Sequence, residues 1–329
     1  MLILTKSIMA MMIGFILSAV FAILLIPILK KQAHQSLNVY LIKAHRNKEG
    51  TPTMGGIIFI IPTIFIIVMF LILKKIDFSY SLFIILFTFI MYAFIGFLDD
   101  YLIIKKHNNK GLTKSEKLIM QIITAIIFFY LFMKAGNEPL LWIHSINFKI
   151  NIGFFYGLFI LFILVASSNA VNLTDGLDGL AGGLSVIVFI TFGILSWYAG
   201  WLNGYESLAI FAFALAGSIL GFLLFNTTPA KIFMGDTGSL ALGATIGAYA
   251  ILTRHEVLLI LIGIVFVIEV LSVIIQIIYY KKTKKKLFPM TPIHHSFEKK
   301  GMKESDIVKL FWTVGLISAM ISLIYGVWL

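Results

Sequence analysis

The chain has 329 residues, 60% of them apolar and only 12% charged, with a net charge of +11 and a mean hydropathy of +1.01. These values exclude a soluble globular protein, whose helices need a polar face, and leave an integral membrane protein. With no cysteine, disulfides, thiolate metal sites, iron–sulfur ligation and a cysteine nucleophile are excluded, so any metal takes oxygen or imidazole ligands.

At roughly 20 apolar residues per crossing, the sequence predicts spans over 4–29, 53–73, 79–99, 118–135, 151–168, 178–199, 205–225, 238–253, 257–279 and 306–328. Within the first, the apolar stretch that follows Lys6, from about Ile8 to Leu29, is longer than a signal-peptide core and lacks a small-residue cleavage site, so it is read as a retained span. Ten spans put both termini on one side and the loops 30–52, 100–117, 169–177, 226–237 and 280–305 on the other. Those five loops hold most of the basic residues, whereas the opposite side has only Lys6, Lys74, Lys75, Lys134, Lys149 and Arg254. Since cytoplasmic loops carry the excess of Lys and Arg, the five loops are expected in the cytoplasm and both termini outside.

The expected architecture is one all-α polytopic domain over 1–329 with about ten transmembrane helices and a cytoplasmic active site. Topology accounts for most of the positive charge, with attraction to anionic membrane lipids or substrate phosphates as an addition; no nucleic-acid partner is expected.

The polar motifs gather in the loops read as cytoplasmic. The stretch Lys48-Glu-Gly-Thr-Pro-Thr53-Met-Gly-Gly56 opens the second span, where its glycines and Thr53 suit either an anion at a helix N-terminus or plain turn and capping chemistry. The third span ends at Asp99-Asp100, and a carboxylate beside hydrocarbon is costly enough to suggest function. Adjacent helical residues point apart, so the pair is expected to do two separate jobs.

Residues 169–183 read NAVNLTDGLDGLAGG. Asp175 and Asp178 would share a face if a helix begins near Thr174, with Asn172 reaching the same space and the glycines allowing close packing. Asp236, in FMGDTGSL, suits an N-cap of the eighth span; as a third acidic cluster on the same face it also suits an oxygen ligand for Mg²⁺. His294-His295 could bond phosphate oxygens or move a proton. Glu269, inside the ninth span, has no partner visible in the sequence.

The motifs TPTMGG, FLDDYL, NLTDGLDGLAGG, FMGDTGSL and PIHHSFE, in this order and over nearly the whole chain, resemble the phospho-N-acetylmuramoyl-pentapeptide-transferases, a branch of the polyprenyl-phosphate N-acetylhexosamine-1-phosphate transferases. The resemblance implies transfer from UDP-MurNAc-pentapeptide to undecaprenyl phosphate with Mg²⁺, giving lipid I and UMP. It also implies a homodimer in the bacterial inner membrane and inhibition by nucleoside antibiotics.

Carried over by motif, Asp236 is the metal ligand, and Asp99 is the base or lipid-phosphate-positioning acid, with Asp100 beside it. Asn172, Asp175 and Asp178 line the nucleotide-sugar cleft, with Asp175 and Phe233 as uridine contacts; Lys48, Thr53, Lys117 and Asn226 complete the polar site. His294 and His295 address the diphosphate or the sugar, while Ser296 stands where the family often has a third histidine.

A related UDP-GlcNAc transferase shares the aspartate motifs, and only the loop carrying PIHHSFE argues for the muramoyl donor. A transporter would place charge near the membrane midplane, where Glu269 is the main candidate, and a non-catalytic scaffold would not need five acids beside a histidine pair.

Overall fold

The computed structural model describes residues 2–32, 50–106, 111–143, 148–200, 202 and 204–328. A helix stands at each of the ten expected spans: α1 (Leu2–Gln32), α2 (Ile57–Ile72), α3 (Tyr80–Lys106), α4 (Lys114–Lys134), α5 (Phe155–Thr174), α6 (Leu180–Tyr198), α7 (Tyr205–Asn226), α8 (Gly235–Leu252), the broken pair α9 (Leu259–Ile262) and α10 (Ile264–Thr283), and α12 (Glu304–Leu323). A short helix, α11 (Ile293–Lys299), precedes α12. Eight helices among the described residues are long and apolar enough to cross a membrane. Of the rest, α2 has only 16 residues, and α8 is diluted by glycine, serine and threonine. The protein is thus an all-α, multi-pass membrane protein.

The interior is built around α7 and α8. Helix α8 packs against α3 and α5, and α7 against α1 and α6. Small residues make this possible, because lipid offers no hydrophobic drive and close backbone contact replaces it. A Cβ on Gly96 of α3 would collide with the Asp236 carbonyl, and one on Gly243 of α8 with the Ser167 carbonyl of α5. Interior hydroxyls bond their own helices: Thr63, Thr88 and Thr245 donate to Phe59, Ile84 and Ala241 carbonyls at 2.7, 2.8 and 2.7 Å. In lipid that is the cheapest way to satisfy them.

Several boundaries differ from the sequence reading. Helix α3 runs on to Lys106, so Asp99 and Asp100 lie within it. Helix α5 continues to Thr174, because no glycine interrupts 169–174, and the expected loop shrinks to a turn over 175–179. Asp175 and Asp178 therefore do not share a helical face. The expected ninth span breaks at Gly263. Between α4 and α5 stands a hairpin absent from the all-α expectation, with β1 (Leu140–Ile143) antiparallel to β2 (Phe148–Asn151).

Candidate active site

The N-terminal end of α8 meets the far end of α3, the start of α4 and the end of α5. A capping box starts α4: the Thr113 hydroxyl accepts from the Glu116 N–H at 3.2 Å while Glu116 accepts from the Thr113 N–H at 2.7 Å. This fixes the first turn and so aims Lys117, whose Nζ lies 2.9 Å from Asp99 Oδ2 and 2.7 Å from Asp236 Oδ2. Two carboxylates from helices distant in sequence thus converge on one positive charge. Asp99 is 6% exposed, but Lys117 and Asp236 are 26% and 24% exposed, so the cluster keeps an open side.

The other oxygens are held as well. Asp99 Oδ1 accepts from the Leu112 N–H at 2.6 Å, and Asp236 Oδ1 accepts from Asn172 Nδ2 at 2.8 Å. Asn172 also donates to Ser239 Oγ at 2.9 Å.

Asp100 has a different task from Asp99. Its buried carboxylate accepts from the Asp236 N–H (3.1 Å), the Thr237 N–H (2.9 Å) and the Thr237 hydroxyl (2.6 Å). These are free N–H groups of the first turn of α8, where a negative charge also meets the positive end of the helix dipole. Asp236 is therefore not the N-cap of α8, as the sequence allowed. It sits inside the first turn, the cap position being Met234, and Asp100 serves the turn from another helix.

The turn over 175–179 is tied to the loop before α8. Asp178 Oδ2 accepts from the Ala230 N–H at 3.0 Å, its own N–H donates to Glu304 Oε1 at 2.6 Å, and Asn226 Oδ1 accepts from the Gly179 N–H at 3.1 Å. Asn226 also donates to the Ile232 carbonyl at 2.9 Å. Asp178 and Asn226, both buried, thus act as struts. Asp175 caps α5 and is half-buried. Phe233, half-buried, donates its N–H to the Pro52 carbonyl at 2.8 Å and accepts from Gly55 at 2.8 Å, which brings buried Thr53 beside Gly235 and Asp100. Lys48 lies outside the described residues.

The histidine pair is buried rather than open. His295 Nδ1 lies 2.6 Å from Glu298 Oε2, and His294 Nδ1 lies 3.1 Å from Glu269 Oε2, both members of the latter pair being fully buried. Glu269 therefore has a partner, and the carboxylate on which a transporter reading rests is paired. The Ser296 hydroxyl accepts from the Met290 N–H at 3.2 Å and donates to the Met290 carbonyl, so this position holds the preceding loop.

Sequence reasoning passed over Thr113, Glu116, Thr237, Ser239 and Glu304. The T-x-x-E pattern at Thr113–Glu116 was a readable sign; nothing local marked Glu304 as a partner of Asp178. Among the described residues no three carboxylate or imidazole groups lie close enough to hold an ion unaided. The donor set still fits a hard divalent cation, because Asp99 and Asp236 already share a cation in Lys117 and Mg²⁺ commonly takes one or two carboxylates plus substrate phosphates. An apolar cavity of about 480 Å³ runs along α5, α9 and α10 from the hairpin end, where Leu141, Glu256 and Val257 line it, to Val171, the residue next to Asn172.

Known proteins match this chain over nearly its whole length. The profile of Glycosyl transferase family 4 matches residues 82–254, and Phospho-N-acetylmuramoyl-pentapeptide-transferase signature 1 matches residues 48–60. The chain is 43% identical over 323 residues to the phospho-N-acetylmuramoyl-pentapeptide-transferase of Geobacillus sp. (strain WCH70), covering 98% of each. It is 45% identical over 317 residues to that of Bacillus pumilus (strain SAFR-032), covering 96% of each. It is 46% identical over 314 residues to that of Listeria welshimeri, covering 94% of this chain and 95% of the relative.

Proposed function

The chain belongs to the phospho-N-acetylmuramoyl-pentapeptide-transferases, and on that premise we propose how its residues carry the reaction. The enzyme moves phospho-MurNAc-pentapeptide from UDP-MurNAc-pentapeptide to undecaprenyl phosphate in peptidoglycan synthesis, giving lipid I and UMP. The observation that carries the assignment of the site is the single ammonium of Lys117 shared by Asp99 and Asp236 at the mouth of the helix bundle.

An oxygen of undecaprenyl phosphate attacks the β-phosphorus of the donor in line; one P–O bond forms, the P–O bond to UMP breaks, and UMP departs. Asp99 takes the proton of the acceptor phosphate or positions that phosphate, and Lys117 faces the diphosphate charge. Asp236, with Asp99, would hold Mg²⁺, which when bound neutralises charge on the diphosphate. Asn172 orients Asp236, and Asp100 keeps α3 on the first turn of α8.

Asp175 and Phe233 contact the uridine; Thr53 and Lys48 border the same cleft, which Asp178 and Asn226 brace. His294 and His295 back it from α11, behind the 175–179 turn. The apolar cavity beside α5 suits the hydrocarbon of the acceptor, since it is lined by Phe159, Phe162, Phe266 and Leu271. The site faces the cytoplasm of a bacterial inner membrane, the protein works as a homodimer, and nucleoside antibiotics compete for the uridine pocket.

Purified protein should release UMP only when UDP-MurNAc-pentapeptide, undecaprenyl phosphate and Mg²⁺ are all present. Release with UDP-GlcNAc but not the muramoyl donor would reassign the substrate. A phosphorylated enzyme trapped with the donor alone would replace direct attack by a covalent route through an aspartate.

A further inference from the structure

Glu269 takes no part in the scheme above, yet it lies well inside the α9–α10 span, where a carboxylate is costly. It occupies the buried stripe of α10 together with Val265, Phe266 and Ser272. Its Oε2 is 3.1 Å from His294 Nδ1, and neither side chain is exposed. An apolar pair of similar volume would pack at least as stably, so a buried acid–base pair at this place needs a geometric reason.

The other ring nitrogen supplies one. Both ring nitrogens of His294 are buried without a hydrogen bond among the described residues, Nδ1 having the Glu269 carboxylate 3.1 Å away, and Nε2 abuts Gly176 so closely that a Cβ there would collide with it. Gly176 belongs to the turn that carries Asp175 and Asp178.

We infer that Glu269 is a positioning residue: its carboxylate holds the His294 ring with Nδ1 toward α10, so that Nε2 backs the 175–178 turn and sets Asp175 for the nucleotide. The route runs from α10 through α11 to the turn, with no contact between Glu269 and substrate. The inference rests on the reading that this turn borders the uridine site.

The test is steady-state kinetics of the full chain in detergent with lipid acceptor, for Glu269→Ala, Glu269→Gln, His294→Ala, the double alanine variant and Asp175→Asn. Glu269→Ala and His294→Ala should each raise the donor KM about ten-fold while the acceptor KM stays within about two-fold, and the double variant should be no worse than the worse single one. Glu269→Gln, which keeps a polar group of the same size against Nδ1, should recover to within about three-fold of the parent. A merely structural role would lower the folded fraction, and so the apparent kcat, without moving the donor KM.

Multiplying losses in the double variant would overturn the positioning role. So would an unmoved donor KM in Glu269→Ala when Asp175→Asn raises it, and in that case the nucleotide reading of the turn stands. If Asp175→Asn itself leaves the donor KM unchanged, the turn is not the uridine site, and the reading and the inference fall together.

Discussion

Helix α8 carries a polar cluster at each end, and the two are built to opposite rules. At its N-terminal end Asp99, Asp236 and Lys117 meet as charges, two of them about a quarter exposed. Beyond its C-terminal end, Arg254, Glu256 and Tyr156 are buried and turned inward. Arg254 donates to the Glu138 and Leu140 carbonyls at 2.7 and 3.0 Å and to the Tyr156 hydroxyl at 3.2 Å, and it lies over the Phe132 ring. The Tyr156 hydroxyl in turn donates to Glu256. The second cluster fastens the hairpin to the bundle. Burial of charge therefore does not by itself mark an active site; what separates the two ends is whether the charges keep an open side.

The largest contrast should come from Asp236→Asn, which removes a negative charge from the open cluster but leaves the packing of α8 intact. Turnover measured as UMP release should fall by on the order of 10³, with the thermal midpoint almost unchanged. Near-parental turnover would take Asp236 out of the reacting site. At the other end Arg254→Met should do the reverse. It removes the positive charge facing Glu256, strands two carbonyls and should cost about 3 kcal/mol of stability, read as a lower thermal midpoint. The protein that remains folded should keep its donor KM, and a raised KM would show that the two ends are coupled.

A smaller effect concerns pH. Burial pushes the Glu256 carboxyl up to about 7, against the opposing pull of the Tyr156 hydroxyl and the Arg254 charge. The folded protein thus binds a proton more tightly than the unfolded chain, so this contribution is full below the ordinary carboxylate range and is lost as pH rises toward and through 7. The thermal midpoint should accordingly fall between pH 5 and pH 8, and Glu256→Gln should flatten that slope. A slope unchanged in Glu256→Gln would assign it to another group.

Much of this was open to reading in the chain itself. Apolar runs locate the spans, and aspartates at span ends single out the face where the carboxylates gather, because both signals follow from the cost of polarity in lipid. Contacts between distant helices were not. Asp100 meets the first turn of α8 136 residues further on, and no local pattern announces which helix a side chain will serve. For the same reason Asp178 looked like a second cleft acid, although its carboxylate is a brace. Arg254 read as a simple marker of sidedness, since a sequence does not show that a basic residue after a span will fold back under a hairpin. That hairpin escaped because two strands of four residues have too short an alternation to stand out.

Gly96 sets a gauge for the whole centre. Because α3 touches the Asp236 carbonyl backbone to backbone there, three residues before Asp99, the gap between the two acids is dictated by how closely two rods can lie. Lengthening or trimming the segments that join those rods would leave that gap as it is, whereas a single methyl group at the crossing would pry it open.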